Sequence, residues 1–265
     1  MIGVKRTLIS PDFAIFPQEL HPLLKQYSIY DSSCSQDARV YFLDGEGGLF
    51  LKTSAAGTLK TEADMTRYFH VKGLGAEVLD YRTERRDWLL TRAIPGEDCT
   101  HPQYLADPKR LCDTLALLLR QLHETAFDGC PIQNRCDIYR ETARKAHDRG
   151  FCDLSLFPEK DWGFSTAEEA WKIVEENGRY LQNDSLLHGD YCLPNIMLNN
   201  WQFSAFIDVG NGGVGDRHFD IFWGVWTLFF NLKTNRYYDR FLDAYGRDRI
   251  EPELLRTVAA FEAFG

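Results

Sequence analysis

The sequence predicts an α+β fold with two lobes, a small antiparallel sheet carrying one main helix and a larger, mainly helical lobe. Short apolar runs separated by glycine-rich or charged turns dominate residues 1–94, which is typical of strands. Longer segments with apolar residues three and four positions apart dominate the remainder. At 265 residues the chain is long enough for two unequal lobes. We therefore expect lobes at 1–94 and 95–265, with a hinge at about 91–98.

The first lobe reads as strands interrupted by one helix. Strands are predicted for VYFLD and LFLKT, on either side of a GEGG turn, and for AEVLDY and DWLLTRAI, on either side of a charged turn. Lys52 is expected at the end of its strand. A helix is predicted from Thr61 to about Lys72, because Met65, Tyr68 and Phe69 fall on one face and Glu62 lies in the first turn.

The second lobe reads as a series of helices. The first begins at Pro108 with Asp107 as its N-cap, and leucines at helical spacing mark its buried face, namely Leu111, Leu115, Leu118 and Leu122. Another is predicted from Thr166 to Leu181, with Ser165 and Glu168 as a capping box. The remaining predicted helices span 219–232, which is apolar nearly all round, 236–245, and about 252 to the end.

Two short apolar strands near the middle of this lobe each end in an acidic residue. They lie in LHGDYCLPNI at 187–196 and AFIDVGNGG at 205–213. Leu186 and Leu187 are expected to form a strand that leads to Asp190. A hairpin of 196–198 and 203–207, with its turn at 199–201, is expected to bring Asp190, Asn195 and Asp208 to one edge. Two carboxylates and an amide oxygen suit Mg²⁺ that is bound together with substrate phosphates. The pattern therefore predicts metal-assisted phosphoryl transfer.

Charge and composition exclude several other classes of protein. The net charge of −9 argues against binding to nucleic-acid phosphates. Residues 1–100 carry 12 Lys or Arg and 14 Asp or Glu, against 18 and 25 in the remainder. The acidic second part suits a cationic small substrate, although an acidic soluble surface is an equally common explanation. We expect a cytoplasmic monomer with no membrane partner, because no apolar run is long enough for a signal peptide or a membrane span.

Taken together, these motifs resemble a known family. The order HGDxxxxN, then IDxG, preceded by Lys52 on a strand and Glu62 on a helix, resembles the aminoglycoside phosphotransferases and, more closely, the aminoglycoside 3'-phosphotransferases. FIDVGNGGVGDRHFDI is the most specific segment. The resemblance implies a protein-kinase-like fold and a kinase that uses ATP or GTP with Mg²⁺. Its acceptor would be the 3'-hydroxyl of an aminoglycoside antibiotic, and the reaction would give resistance.

The resemblance also implies a role for each matching residue in the phosphoryl-transfer machinery. Asp190 would accept or orient the proton of the attacking hydroxyl, while Asn195 and Asp208 would hold Mg²⁺. Lys52 would contact the nucleotide phosphates, with its direction fixed by Glu62. Further implied residues are the supports His188 and Asp220, the nucleotide loop Ser33, Cys34 and Ser35, and the adenine-facing backbone of Thr91 to Ala93.

Binding of a cationic acceptor is assigned less directly. The resemblance implies that Asp190, Asp161, Glu262 and Phe264 contact the aminoglycoside. The segment 148–176 is acidic and occupies the place of the family's substrate loop, but a solvated helix face would have the same composition. Leu193 and the segment 226–230 are apolar where several relatives have polar residues, so a narrower or different acceptor range is expected.

Two other functions fit parts of this pattern. One is a kinase of the same fold that acts on another small amino alcohol or sugar, such as a choline-, homoserine- or fructosamine-like substrate. The other is a pseudokinase-like binding module, which would have lost Asp190, Asn195, Asp208 or Lys52. All four residues are present, which favours an enzyme.

Overall fold

The computed structural model describes residues 6–34, 38–156 and 162–265. Within it the chain forms two compact units, Met1–His101 with Ile196–Gly210, and Pro102–Asn195 with Asn211–Gly265. The lobe boundary between residues 94 and 95 stays a prediction. Two of the predicted site residues, Ser35 and Asp161, lie outside the described residues.

The main sheet of the first unit has six antiparallel strands in the order β1-β2-β3-β4-β6-β5. They are β1 (Thr7–Leu8), β2 (Ser28–Asp31), β3 (Arg39–Asp44), β4 (Leu49–Ala55), β5 (Val78–Thr83) and β6 (Arg86–Arg92). The predicted strands are confirmed. One detail was wrong: Lys52 lies in the middle of β4, because the strand continues to Ala55, which pairs with Arg86 of β6.

The two faces of this sheet bury different partners. Alternate residues such as Leu49 and Leu51 join Tyr41, Leu43 and Trp88 in one apolar cluster, as expected for the two-residue period of a strand. On the other face, α2 (Lys60–Val71) follows a short α1 (His21–Leu24) and packs through Ala63 against Leu89 of β6. This helix confirms the one predicted from Thr61.

The first unit also contains a three-stranded sheet in the order β10-β9-β7. Its strands are β7 (Glu97–Asp98), β9 (Ile196–Asn199) and β10 (Gln202–Phe206). Asn200 and Trp201 join β9 to β10 with φ values of 51° and 69°, the left-handed backbone that two-residue hairpins require. The hairpin ends at Phe206, whose ring lies 6.3 Å from that of Phe69 on α2.

The second unit is mainly helical, as predicted. Its helices are α3 (Pro102–Leu105), α4 (Pro108–His123), α5 (Arg135–Asp148), α6 (Ala167–Asn177), α7 (His218–Leu232), α8 (Tyr238–Tyr245) and α9 (Pro252–Glu262). The side chain of Asp107 caps α4, as expected. Leu119 rather than Leu118 is fully buried on this helix. No helix in the described parts of the chain combines the length and the apolar composition needed to cross a membrane.

The hairpin of β9 and β10 confirms the one predicted for 196–207, but the strand that leads towards Asp190 pairs differently from the expectation. Leu186 and Leu187 belong to β8 (Ser185–Leu187), which pairs with β11 (Gly213–Gly215) and not with the hairpin β9–β10. Glycine-rich β11 had no strand signal, so its pairing was missed. The two acids therefore do not end adjacent strands.

Helix α5 was not predicted at all, because only three of its residues are buried and they form no apolar stripe. The capping of α6 also differs from the expectation. Thr166, not Ser165, is the N-cap and accepts from the amide of Glu169, and the helix ends at Asn177, before a short 3₁₀ turn.

Candidate active site

Three charged side chains meet in the first unit, and we call them the lysine triad: Lys52, Glu62 and Asp208. Lys52 Nζ donates to Glu62 Oε1 and Oε2 at 2.9 and 2.8 Å and to Asp208 Oδ1 at 2.9 Å. The side chains of Lys52 and Glu62 are 20% and 14% exposed, whereas that of Asp208 is 52% exposed. Strand β4, helix α2 and the residues after β10 thus supply one member each.

The protonation state of Lys52 depends on two opposing effects, its burial and its attraction to the neighbouring carboxylates. Burial disfavours the ammonium form of Lys52, but the negative charges of Asp208 and Glu62 outweigh this effect and raise the pKa of Lys52. The lysine therefore stays protonated at neutral pH. A protonated, well-oriented ammonium group is suited to contact an anionic ligand such as a phosphate.

The backbone after β10 explains the aspartate–x–glycine spacing. Asp208 has a φ of 58°, an uncommon conformation for a residue with a side chain. A Cβ atom at Gly210 would lie 3.2 Å from Cβ of Glu62, so this glycine permits a close approach to α2. The turn brings the Asp208 carboxylate to Lys52.

The loop after β2 holds two of the predicted nucleotide-binding residues in a hydrogen-bonded turn. The Ser33 amide donates to Asp31 Oδ1 at 2.9 Å, and Ser33 Oγ accepts from the Val40 amide at 3.0 Å. The bond from Ser33 lowers the pKa of Asp31. Cys34 is exposed. The Ser33 side chain also bonds to Asp31, and this bond is the largest cause of the lowered pKa of Asp31.

The predicted hinge residues lie at the end of β6. Thr91 pairs with Phe50 of β4 on one side and Val78 of β5 on the other. Ala93 donates its amide to the Gly48 carbonyl at 3.1 Å. A nucleotide contact by Ala93 would therefore use its carbonyl oxygen.

The second unit contains the HGD loop, residues 188–195. Asn195 Nδ2 donates to Asp190 Oδ2 at 2.9 Å and to the Asp190 carbonyl at 3.0 Å. The Cys192 amide donates to the same carbonyl at 2.8 Å. Three hydrogen bonds within one short loop therefore fix both the backbone and the carboxylate of Asp190, which is only partly buried.

Asp220 supports this loop from within the core. Its fully buried carboxylate accepts from the amides of His188 at 2.7 Å and Gly189 at 2.8 Å, and it lies 3.2 Å from His123 Nε2. Gly189 has a φ of 83°, and a Cβ there would lie 1.9 Å from the Asn211 carbonyl oxygen. The motif therefore requires glycine at its second position for steric reasons.

Glu262 lies at the end of α9 as a buried carboxylate. Burial raises its pKa to about 8, with a bond to Trp223 acting in the opposite direction and the charges of Asp190 and Asp220 adding to the increase. Its Oε1 has no hydrogen-bond partner within the described residues. Phe264 is 1% exposed, and its ring packs edge-on against His147 and Trp171, which stack on each other.

Two residues of α5 that hold this region were missed from sequence. The hydroxyl of Tyr139 donates to the Gly189 carbonyl at 3.3 Å, and its ring stacks on Phe219 at 3.8 Å. Arg135 Nε donates to the Gly212 carbonyl at 3.0 Å. A polar helix with no apolar stripe offers no sequence signal for either role.

The residues proposed as Mg²⁺ ligands have suitable atoms, each within its own unit. Both hydrogen bonds of the Asn195 side chain use its nitrogen, which leaves the amide oxygen for a cation. Asp208 is half-exposed and directs one of its two oxygens at Lys52. No group of three His, Cys, Asp or Glu side chains in the described ranges could hold a metal alone, so phosphate oxygens would have to complete such a site.

Comparison with known proteins finds relatives that match most of the chain. The phosphotransferase enzyme family, APH, matches residues 33–258. A probable aminoglycoside 3'-phosphotransferase of Lactococcus lactis is 47% identical over 251 residues, covering 94% of this chain and 95% of that protein. An aminoglycoside 3'-phosphotransferase of Niallia circulans is 28% identical and covers 94% of this chain and 97% of its own length.

Solved structures share the fold. The crystal structure of aminoglycoside-3'-phosphotransferase of type VIII has a TM-score of 0.72 at 24% identity, with 94% of this chain and 97% of that chain covered. APH(3'')-Id from Streptomyces rimosus, in complex with ADP and streptomycin, also has a TM-score of 0.72, at 20% identity, with 96% and 99% covered.

The chain belongs to the APH phosphotransferase enzyme family. The protein-kinase-like α+β fold expected from its motifs is confirmed. It follows that the chain is a phosphotransferase whose acceptor carries a hydroxyl group.

Proposed function

We propose that this protein transfers the γ-phosphate of ATP or GTP to the 3'-hydroxyl of an aminoglycoside antibiotic and so gives resistance to it. The choice of acceptor rests on the relative from L. lactis, a probable aminoglycoside 3'-phosphotransferase that is 47% identical over nearly the whole of both chains. The reaction would take place in the cytoplasm, with a monomer as the active form. The geometry of each unit supports a defined part of the chemistry.

Asp190 acts on the acceptor. Its carboxylate accepts the hydroxyl proton, and Asn195 holds one of its oxygens at 2.9 Å so that the other can point to the acceptor. Phosphoryl transfer has a loose transition state with little covalent chemistry for the protein to perform, so orientation of the attacking oxygen is the main contribution.

The lysine triad acts on the donor. Lys52 gives its ammonium to the nucleotide phosphates, while Glu62, which accepts from it through both oxygens, keeps its direction. Lys52 Nζ donates to three oxygen atoms, two of Glu62 and one of Asp208. A phosphate oxygen would replace the one of Asp208. The loop of Ser33, Cys34 and Ser35 and the backbone of Thr91 and Ala93 supply further nucleotide contacts.

Asn195 and Asp208 are the residues that would hold Mg²⁺, through the amide oxygen of one and the carboxylate of the other. When bound, the ion neutralises negative charge on the nucleotide phosphates. The two residues have free oxygen atoms for this purpose, as described above.

Carboxylates of the second unit bind the cationic acceptor. Glu262 has an oxygen without a hydrogen-bond partner in the described chain, and an ammonium group of an aminoglycoside would supply that partner. Asp161 and Phe264 are the other proposed contacts.

A turnover assay on the purified protein tests this function. ATP or GTP with Mg²⁺ is supplied together with kanamycin B or its 3'-deoxy analogue, and the phosphorylated position is determined by NMR. We expect turnover of kanamycin B, phosphate on its 3'-oxygen, and loss of turnover with the 3'-deoxy compound. Equal turnover of both compounds would show that the proposed position is wrong.

A second acceptor class is favoured by one observation, the exposed aromatic face of α7, where Phe230 is 50% exposed. Such a face would also suit a smaller amino alcohol or sugar. Turnover of choline, homoserine or a fructosamine, with none on any aminoglycoside, would replace the first proposal by this one.

A further inference from the structure

A fully buried carboxylate near the start of β6, that of Asp87, accepts four hydrogen bonds within the first unit. The amides of Gly57 and Leu59 donate to its Oδ1 and Oδ2 at 2.9 and 2.8 Å. The hydroxyl groups of Thr83 and Tyr81 donate to the same two oxygens at 2.8 and 3.2 Å. Burial alone would raise the pKa of Asp87, but these bonds outweigh burial and lower it. The carboxylate is therefore ionised at neutral pH.

The two amides belong to the connection between β4 and α2. Gly57 has a φ of 85° and lies in a tight turn, in which the Thr58 amide donates to the Ala55 carbonyl at 3.2 Å. Leu59 is the N-cap residue of α2, and its own side chain makes no capping bond. Asp87 therefore fixes the start of α2 from a strand of the sheet, with its negative charge at the end of the helix where the helix dipole favours it.

The first turn of the helix that begins there carries Glu62. This residue lies three positions after Leu59, and its carboxylate accepts two bonds from Lys52 Nζ. Lys52 lies on β4 two positions before Ser54, which pairs with Asp87. A shift of this first turn relative to β4 would therefore change the direction of the Lys52 ammonium group.

Apolar contacts at this end of α2 are few. The cluster of buried residues there consists of Leu59, Ala63 and Leu89. Hydrophobic contacts are non-directional, whereas hydrogen bonds to a charged acceptor are strong and depend on geometry. The position of the first turn is therefore set by the bonds to Asp87 more than by packing.

We propose that Asp87 is a positioning residue for the nucleotide site, which holds the first turn of α2 so that Glu62 directs Lys52 at the nucleotide phosphates. This inference rests on the proposed roles of Lys52 and Glu62 and adds to them the residue that sets their geometry. Asp87 acts on the nucleotide only through Glu62.

Calorimetric titration of Asp87→Asn with ATP–Mg²⁺ tests the proposal and needs no acceptor. The substitution keeps the size of the side chain but turns one accepting oxygen into an amide nitrogen, which cannot accept from its present donors. We expect the Kd for ATP–Mg²⁺ to rise about fivefold, as for the loss of one hydrogen bond. The Kd for kanamycin should stay within about twofold of the wild-type value, because a distant site is affected independently.

A double-mutant cycle with Glu62→Gln separates positioning from a general effect on the protein. Since Asp87 acts through Glu62, Asp87→Asn should change the Kd for ATP–Mg²⁺ by less than about twofold once Glu62→Gln is present. An equal rise in both backgrounds would show that Asp87 acts independently of Glu62 and would overturn the proposal. An unchanged Kd in the single variant would also overturn it.

Two matched controls make the result specific. Asp80→Asn causes the same change of charge at a partly exposed side chain of β5, which pairs with Arg82, and it should leave the Kd for ATP–Mg²⁺ unchanged. Leu43→Val removes one methylene group from a fully buried side chain in the other apolar cluster of the first unit. It should lower the urea midpoint but not the affinity for ATP–Mg²⁺. Equal losses of affinity in Leu43→Val and Asp87→Asn would show that affinity follows stability, which contradicts the proposal.

Thr83→Val keeps the test available if Asp87→Asn does not fold, because it removes one donor and leaves both amides bonded. The Kd for ATP–Mg²⁺ should rise about threefold, and an unchanged Kd would contradict the proposal. A wild-type protein that binds ATP–Mg²⁺ but phosphorylates no aminoglycoside would disprove the proposed acceptor and leave this test of Asp87 valid. Absence of ATP–Mg²⁺ binding to the wild type would overturn both.

Discussion

Acidic side chains have different hydrogen-bond donors in two regions of the molecule, the lysine triad and the surroundings of Asp190. In the triad, Glu62 and Asp208 surround a protonated lysine at 2.8–2.9 Å. Around Asp190 the carboxylates meet neutral donors instead: Asn195 for Asp190, backbone amides for Asp220 and an indole for Glu262. One region presents a directed ammonium group, and the other holds carboxyl groups that pair with neutral donors.

The difference matches the charges of the two proposed ligands. Nucleotide phosphates are anionic and require a cation held in place, which the first region supplies. An aminoglycoside is cationic and requires carboxyl groups that are not already paired with a cation of the protein, which the second supplies. Burial, to which the negative charges of Asp190 and Asp220 add, raises the pKa of Glu262.

The largest effect is expected from Asp190→Asn, which removes the proton acceptor while keeping the side-chain size. The kcat with kanamycin should fall by roughly 10³-fold, since this is within the usual range for a general base. Binding of ATP, followed by calorimetry, should be unchanged. A kcat within tenfold of wild type would remove Asp190 from its proposed role.

Lys52→Met should have the next largest effect, because it removes the cation and leaves Glu62 and Asp208 without their shared partner. We expect kcat/KM for ATP to fall by about 10²-fold, as measured by initial rates at saturating kanamycin. Lys52→Arg keeps the charge but not the point-like geometry, and it should recover part of the loss. Equal kcat/KM values for ATP in Lys52→Met and Lys52→Arg would show that the positive charge of Lys52 is not what the triad contributes.

Asp220→Asn tests the support of the HGD loop. In the wild type the amides of His188 and Gly189 donate to the fully buried carboxylate of Asp220. The substitution replaces this carboxylate by an amide group, so we expect a loss of about 3 kcal/mol in the free energy of unfolding. Urea denaturation gives this value. Asp248→Asn, at a side chain that is 79% exposed, should change it by less than about 0.5 kcal/mol. Equal effects of the two changes would contradict the support role.

The smallest effect concerns pH and Glu262. Its pKa in the folded protein, about 8, lies above the ordinary value of 4.5, so the folded state holds the proton more tightly than the unfolded state. The resulting stability is complete below pH 4.5 and is lost as the pH rises through 8. Between pH 6 and pH 9 the wild type should lose about 2 kcal/mol more than Glu262→Gln, as measured by urea denaturation. Parallel pH profiles would show that Glu262 does not titrate in this way.

The sequence predicted the parts of this architecture that local patterns encode. The strands of the main sheet and helices α2, α4 and α7 follow from apolar period and capping. Helix α5 does not, because its role depends on two polar contacts, Tyr139 to Gly189 and Arg135 to Gly212. The pairing of β8 with β11 is likewise non-local, and a three-residue strand with two glycines gives no periodic signal.

The candidate site shows the same limit. Motif spacing predicted Lys52, Glu62, Asp190, Asn195 and Asp208 as candidates, and the structure joins the Lys52, Glu62 and Asp208 side chains in one unit and those of Asp190 and Asn195 in the other. It could not predict the left-handed backbone of Asp208 or the Glu262 oxygen that has no hydrogen-bond partner in the described residues. Both depend on what surrounds a residue in space rather than along the chain.

Separate calorimetric titrations of Lys52→Met and Glu262→Gln with ATP–Mg²⁺ and with kanamycin at pH 8 test the contrast between the two regions most directly. We predict that Lys52→Met weakens nucleotide binding at least tenfold and leaves kanamycin binding within twofold of wild type, and that Glu262→Gln does the reverse. Loss of both ligands in either variant, or loss of the opposite ligand, would contradict the division of charge between the two regions.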